Sequence, residues 1–490
     1  CSMKNKDLVI IFDCGATNVR VIAINRYGKI EASQSYPNAT SEDPYYKGGL
    51  IWDVNDIWKK LAKASLEVIS KIDHNRIAAV SVTTFGVDGT FTDSDGVPLY
   101  PVISWQCERT HPIMENIDRY IPREKLYSIC GVFPYGMNTI NKIIWLKENK
   151  PEVIDRASNF LFLSSLLLYR LSGERITNCT MAGTSMLMDA GKRQLSEEVL
   201  ESIGLDSSFF PDIREAGETV GGVTASTSEE TGIPENTPVF VAGHDTQFAI
   251  YGSGAGLGEP VLSTGTWEIL MTRSNDFTAG KEQLDREITT ELDAIPGVYT
   301  IGLNWIGSGP LEWIRKMLYR KDNDLESYEN IISEAEQVAP GSNGIRMNPD
   351  FVQAEKGQYP SGIFGLRLHT ERAEIYRAGL ESLSFKLKKG LNALEQAGGF
   401  TASKIICVGG GSKNTLWNQI RADVTNKPVQ LIDQKETTVL GAALFGFVAA
   451  GIYKDAEEAR NQIDYSPEVV QPSENKSKYE ELEKTFREYI

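Results

Sequence analysis

The apolar positions of this chain gather into short continuous runs that stop abruptly at small and acidic residues. Leu8, Val9, Ile10, Ile11 and Phe12 form the first run. It breaks at Asp13-Cys14-Gly15-Ala16-Thr17-Asn18 and resumes over 19–24. Apolar, largely β-branched residues on both sides of a glycine turn predict a hairpin over 8–24. Residues 77–83 (IAAVSVT) predict a buried strand that ends in Thr84-Phe85-Gly86-Val87-Asp88-Gly89. Residues 239–242 predict another, ending in Gly243-His244-Asp245-Thr246, with a small-residue helical pattern behind it. A carboxylate beside a glycine at the end of a buried strand has two readings. Strand ends in α/β folds face the crevice where ligands bind, and Asp is a favoured helix cap. For Asp245 the local pattern alone leaves both open.

Helical periodicity runs over 52–72, and 91–103 predicts a hairpin turning at Asp93-Ser94-Asp95-Gly96. Residues 135–149 predict an amphipathic helix with Ile140, Ile143, Ile144 and Leu146 on its apolar side and Asn138 and Thr139 at its start. Residues 160–171 are mostly apolar and expected to be buried, 195–205 read as a helix, and 220–232 as a turn-rich stretch. The glycines of 252–258 lack G-x-G-x-x-G spacing and read as a flexible domain junction. The pattern then restarts. Residues 260–272 again predict strand, small polar turn and strand, the turn being Ser263-Thr264-Gly265-Thr266. Two such openings in two halves predict a duplicated architecture. Helices are expected over 309–319, 373–397 and 416–424, and 340–348 reads as a loop entering a strand. A strand over 404–408 runs into Gly409-Gly410-Gly411-Ser412-Lys413-Asn414, and 428–432 is a further short strand. A helix beginning at Lys435 carries Gly441, Ala442, Ala443 and Gly446, residues small enough for close helix packing. The charged stretch from Glu474 predicts a solvated helix.

A length of 490 residues exceeds one ordinary core and predicts two domains, 1–250 and 251–490. The formal charge of −16 argues against nucleic acid as a partner. No apolar run approaches the roughly 18 residues of a membrane span, and the polar start lacks a secretory apolar region. Met3 reads as the natural first residue. The six cysteines form no C-x-x-C pair and the four histidines no H-x-x-x-H pair. A disulfide framework or a zinc site is therefore not expected, and a reducing cytoplasm is.

The polar turns carry the candidate chemistry. Gly15, Thr17 and Asn18 could wrap phosphate oxygens with backbone N–H groups, as could Thr264, Gly265 and Thr266. Asp13 suits a hydrated Mg²⁺. Gly410, Gly411, Ser412 and Asn414 would let a flat ligand or phosphate approach the backbone closely. Asp88 and the aromatic Trp105 could face a sugar. Each turn taken singly could equally be an ordinary polar turn. No Walker A sequence occurs, so any ATP site belongs to another fold.

Taken in order, D-C-G-A-T-N, F-G-V-D, G-H-D, S-T-G-T and V-G-G-G-S resemble the FGGY carbohydrate kinases of the actin and hexokinase superfamily. Residues 135–148, with Lys142, Trp145 and Leu146, are similar to that family's first signature. Residues 361–381 are similar to its second, departing from it at Gly379. The resemblance covers essentially the whole chain. It implies an α/β, two-domain, actin/hexokinase-like (ribonuclease H-like) fold with an interdomain cleft, and ATP and Mg²⁺ as cofactors. It also implies Asp245 as catalytic base and substrate ligand, with Asp88, Trp105 and Asn138 lining the sugar site. Asp13, Gly15, Thr17, Asn18, Thr264, Gly265, Thr266, Gly410, Gly411, Ser412 and Asn414 would serve the nucleotide, Asp13 on the metal side through water. The expected reaction is phosphorylation of a ketose at its C1 hydroxyl, L-fuculose first, with L-rhamnulose, D-ribulose and related ketoses as alternatives. No nucleic acid or membrane partner is expected, and a homodimer is one candidate assembly. A non-catalytic sensor of sugar and ATP, or an actin-like filament protein, is the rival class. Asp245, Asp13 and the paired phosphate turns weigh against the first, and Asp88 and Trp105 against the second.

Overall fold

The computed structural model describes residues 6–321, 324–351, 361–432 and 436–486. The expected start at Met3 and the helix start at Lys435 lie outside them. The chain forms two compact units. One comprises Cys1–Gly254, Asn275–Thr300 and Glu436–Asp464; the other comprises Ala255–Ser274, Ile301–Lys435 and Tyr465–Ile490.

The first unit is built on a seven-stranded sheet. Its order is Thr219–Gly222, Pro238–Phe240, Ile77–Thr84, Leu8–Cys14, Asn18–Asn25 and Ile30–Pro37, and the short Gly243–His244 also pairs with Ile77–Thr84. Leu8–Cys14 is buried along its whole length, which is why it reads as an unbroken apolar run instead of an alternating one. It pairs antiparallel with Asn18–Asn25 and parallel with Ile77–Thr84. In the second unit the order runs Tyr299–Ile306, Trp267–Ser274, Val261–Thr264, Ile405–Val408, Val429–Leu431 and Glu468–Val470. Val261–Thr264 is likewise antiparallel to the strand after it and parallel to Ile405–Val408. Beyond that, a parallel and then an antiparallel partner follow in each sheet. The pairing pattern of five strands around Leu8–Cys14 thus recurs around Val261–Thr264.

Close helix packing at the small residues also forms. The helix Asp245–Gly252 lies against Thr437–Ala449 so tightly that a Cβ added to Gly441 would sit 1.9 Å from the Phe248 carbonyl oxygen. At Gly379, the departure in the second signature, an added Cβ would stand 2.9 Å from Leu311. That neighbour explains the small residue.

The hairpin turning at Asp93–Gly96 forms over its inner part: the Asp93 N–H donates to the Val97 carbonyl and the Leu99 N–H to the Phe91 carbonyl, with Thr92 and Pro98 bridged antiparallel. Further out the arms take other partners, Gly89–Thr92 pairing with Asn159–Phe162 and Val102–Ile103 with Leu50–Trp52. Two expectations are corrected. The helix Thr139–Asn149 is not amphipathic over its first two turns: every residue from Thr139 to Leu146 is buried, Lys142 included. The turn-rich stretch contains a helix, Ala225–Thr231, capped by Thr224 and ended by Gly232 at φ 74°.

Candidate functional site

Sheet register assembles the first part of the site. Asp13 is the penultimate residue of its strand, with Arg20 opposite it on the antiparallel side and Thr83 on the parallel side. Both neighbours bond its carboxylate. Arg20 donates to Oδ2 through Nη2 at 2.5 Å and Nε at 3.1 Å, and Thr83 Oγ1 donates to Oδ1 at 3.0 Å. Arg20 also reaches Glu436 at 2.6 Å. Beyond Asp13 the turn closes with the Gly15 N–H donating to the Asn18 carbonyl at 2.9 Å. Asn38 fastens it from outside, donating to the Gly15 carbonyl at 2.8 Å. Thr17 and Asn18 are exposed at its tip.

Asp245 is the first residue of its helix, with His244 at the cap position. Asp245 is therefore not the cap, and His244 at that position makes no side-chain cap bond. A carboxylate in the first turn is favoured by the helix dipole. Its side chain is 32% exposed, and Oδ1 lies 3.5 Å from His244 Nε2. Removal from water pushes the Asp245 carboxyl above its ordinary value; His244 opposes this and the charge of Asp13 adds to it. His244 turns its other nitrogen, Nδ1, toward Glu291 at 3.4 Å. Burial works against its charge, but Glu291 and Asp245 outweigh it and its pKa is raised. Glu291 also accepts from Gln247 Nε2 at 2.6 Å. Gly243 is needed ahead of this group: at φ 143°, an added Cβ would fall 2.2 Å from Asn178 Oδ1. The Cys14 thiol feels Asp13, Asp245 and Asp88 together, so these three strand-end carboxylates share one neighbourhood.

Asp88 is fully buried and its carboxylate is occupied. Oδ2 accepts from Trp52 Nε1 at 2.7 Å and from the Trp105 N–H at 3.1 Å, while Oδ1 pairs with Lys142. Burial pushes the Asp88 carboxyl up and the Lys142 ammonium down, against their mutual attraction. Trp105 Nε1 is buried with no hydrogen-bond partner among the described residues. Asn138 accepts from the Tyr135 N–H at 2.8 Å and donates to the Thr184 carbonyl at 3.2 Å, so it braces backbone at the helix start.

The second unit repeats the register logic. Thr264 lies opposite Glu268, and Thr264 Oγ1 donates to Glu268 Oε1 at 3.0 Å. Arg421 Nη2 donates to the same hydroxyl at 2.8 Å and forms a fully buried ion pair with Glu268. The glycine turn presses on this strand end. Gly409 has φ 95°, and a Cβ on Gly411 would lie 2.3 Å from Thr264 Oγ1. Gly410 has open space above it. Ser412 Oγ donates to the Gly409 carbonyl at 2.6 Å, and Asn414 caps the helix Thr415–Thr425, accepting from the Trp417 N–H at 3.0 Å. Gly265 and Thr266 accept through their carbonyls from the Ser308 and Gly307 N–H groups, both at 2.8 Å. Thr266 opens a pocket of about 620 Å³ with Ser308, Gly309, Glu312, Trp313, Arg315, Lys316 and Tyr328.

Structure thus gathers Asp13, Asp88 and Asp245 in one unit, and Thr264, Gly411 and Asn414 around one strand end in the other. The sequence reading missed Arg20, Thr83, Glu291, Gln247 and the Glu268–Arg421 pair. Arg20 and Glu268 carry a usable signal, since hairpin register places them opposite residues already singled out. Glu291 carries none, lying 46 residues beyond Asp245. Among the described residues no group of three or more His, Cys, Asp or Glu forms a metal cage, and no helix is long and apolar enough to cross a membrane.

The N-terminal domain model of the FGGY family of carbohydrate kinases matches residues 8–252, and the C-terminal domain model matches 261–450. The chain is 42% identical over 477 residues to L-fuculokinase of Escherichia coli strain K12, covering 97% of this chain and 100% of that one. To L-fuculokinase of Haemophilus influenzae it is 41% identical over 473 residues, covering 95% and 100%. Among solved structures, xylulose kinase from Rhodospirillum rubrum matches with a TM-score of 0.88 at 20% identity over 98% of each chain. Plasmodium falciparum glycerol kinase with ADP matches at 0.85 and 19% identity over 99% of this chain and 98% of that one. These structures establish the expected α/β, actin/hexokinase-like kinase fold.

Proposed function

The chain belongs to the FGGY family of carbohydrate kinases, and on that footing we propose that it transfers the γ-phosphoryl group of ATP to the C1 hydroxyl of L-fuculose. The observation that carries the chemistry is Asp245. It is a partly exposed carboxylate at a strand end, with a pKa raised by loss of water and Oδ1 3.5 Å from His244 Nε2. The preference for L-fuculose rests on the 41–42% identity to two L-fuculokinases over nearly their full lengths.

In this reading Asp245 accepts the C1 hydroxyl proton as that oxygen bonds to phosphorus and the bond to the ADP oxygen breaks. A carboxylate is a weak base toward an alcohol. A raised pKa improves the match, and its main service is timing and orientation in the transition state. His244 holds Asp245 from one side and is itself held by Glu291. Trp105 offers its unpartnered indole N–H to a sugar hydroxyl. Asp88 and Asn138 shape the ketose site through the backbone they hold. The turn of Gly15, Thr17 and Asn18 and that of Thr264, Gly265 and Thr266 would meet the phosphates. Gly410, Gly411, Ser412 and Asn414 would lie along the adenosine, where the open space above Gly410 suits a flat group. We take residues 1–250 as the half that carries the ketose site, the first phosphate turn and Asp245, and 251–490 as the half that carries the second phosphate turn and the adenosine site.

Asp13 Oδ2 is held by Arg20 and its Oδ1 by Thr83, so it suits a hydrated ion, and one carboxylate with waters and phosphates is a donor set that Mg²⁺ accepts. Asp13 would hold it through water, and the ion would neutralise the phosphoryl oxygens. An ADP-release assay across L-fuculose, L-rhamnulose, D-ribulose, D-xylulose and glycerol tests the proposal, with ³¹P NMR to locate the ester. The highest kcat/KM is expected for L-fuculose, with phosphate on C1. A higher value for another acceptor overturns the substrate, and no turnover with any overturns the reaction.

A further inference from the structure

Val87 has φ 62°. A β-branched residue in the left-handed region is an outlier, because its Cβ crowds the backbone there. Such strain persists only where the surroundings over-determine the conformation. Here three buried side chains do so. Thr184 Oγ1 accepts from the Val87 N–H at 3.0 Å. The Val87 carbonyl accepts from Thr139 Oγ1 at 2.8 Å and from Lys142 Nζ at 2.9 Å. Thr184 is itself fixed, donating to the Met181 carbonyl at 2.8 Å. Lys142 is fixed by Asp88.

The residues on either side of the kink reach the proposed site. A Cβ on Gly86 would lie 2.9 Å from His244 Nε2, the nitrogen that faces Asp245. Asp88 bonds the Trp105 backbone N–H. One strained residue therefore sits between the neighbour of the base and the anchor of the aromatic wall.

We propose that residues 86–88 form a pre-strained wall of the ketose site, and that Thr184, Thr139 and Lys142 are positioning residues that hold Val87 left-handed. This rests on the ketose-kinase reading. The clamp acts through Val87, so its members touch neither nucleotide nor ketose. Their loss raises KM for the ketose and lowers kcat while KM for ATP stays as it was.

The test is a cycle of Thr184→Val in the natural chain and in a V87G background. Glycine adopts φ near 62° without strain, so the clamp becomes dispensable. Thr184→Val is expected to lower kcat/KM for the ketose about tenfold or more in the natural chain. The added loss on top of V87G should be markedly smaller, and Thr184→Ser, which keeps Oγ, should restore the parent value. Thermal midpoints give a readout independent of turnover: Thr184→Val should lower the midpoint less in V87G than in the natural chain. Equal losses in both backgrounds, in activity and in midpoint, overturn the clamp. If Thr184→Val fails to fold in both, Thr139→Val is run through the same cycle. A parent protein inactive on every ketose overturns the kinase reading and leaves the midpoints to decide the strain.

Discussion

The Nε2 of His244 lies 3.5 Å from Oδ1 of Asp245. The raised pKa of that ring gives it more positive charge, which favours the ionised carboxylate that the proposed base needs. Replacing Asp245 by Asn keeps the shape and removes the proton acceptor. Turnover is expected to fall by about 10²–10⁴, with ATP affinity and the circular dichroism spectrum unchanged. Wild-type-like turnover would remove Asp245 from the mechanism.

The pH dependence follows from two raised pKa values. Asp245 is raised above the ordinary carboxylate value by desolvation, so the acid limb of kcat should lie above the range of an exposed Asp. His244 is raised from 6.5. Both groups bind protons more tightly folded than unfolded. Their stabilisation is present below the unfolded pKa and lost as pH rises through the folded one. The thermal midpoint of the wild type relative to His244→Gln should therefore decline as pH rises from 6.5 through the folded pKa of His244. A difference that grows with pH would contradict the assignment.

The Glu268–Arg421 pair is fully buried beside Thr264. Arg421→Met leaves Glu268 charged and unpaired in the interior. A loss of about 3–5 kcal/mol is expected in urea unfolding. Replacing both partners with apolar residues should recover much of it.

Gly441 and Gly252 each meet backbone, not flexible side chains: an added Cβ at either would stand 1.9 Å from a carbonyl oxygen of the facing helix. Gly441→Ala must push the helix Asp245–Gly252 aside. A cost of at least about 1–3 kcal/mol is expected, with a fall in kcat because Asp245 begins the displaced helix.

Gly411 lies so near Thr264 Oγ1 that a side chain there would displace the hydroxyl held by Glu268 and Arg421. Gly411→Val should raise KM for ATP about tenfold or more by removing one or more charge-assisted contacts. KM for the ketose should stay as it was.

The sequence made the strands, their glycine turns and the small-residue helix legible, because these depend on runs of neighbours. Asp13, Asp88 and Asp245 were legible as carboxylates at strand ends for the same reason. What Asp88 does there was not. Its partners Trp52 and Lys142 stand 36 and 54 residues away, and nothing local says that a carboxylate followed by glycine is saturated and buried. The helix Ala225–Thr231 escaped notice because it buries only Thr227 and Thr231 and so shows no apolar period, although Thr224 and Gly232 mark its ends. The hairpin turning at Asp93–Gly96 was legible as far as Phe91 and Leu99, but a turn says nothing about the distant strands that its arms choose beyond that.

The first unit is finished by residues 436–464. Helix Thr437–Ala449 brings Gly446 to within an added Cβ's reach of Val9 and Phe240, and Phe445 against Phe248 and Tyr251. Val9 leaves the ribosome more than four hundred residues before its last neighbour does. The apolar face of the first sheet must wait, uncovered, through nearly the whole of synthesis. A nascent chain stopped short of residue 436 should therefore bind holdase chaperones, and release should come only when the final helix emerges.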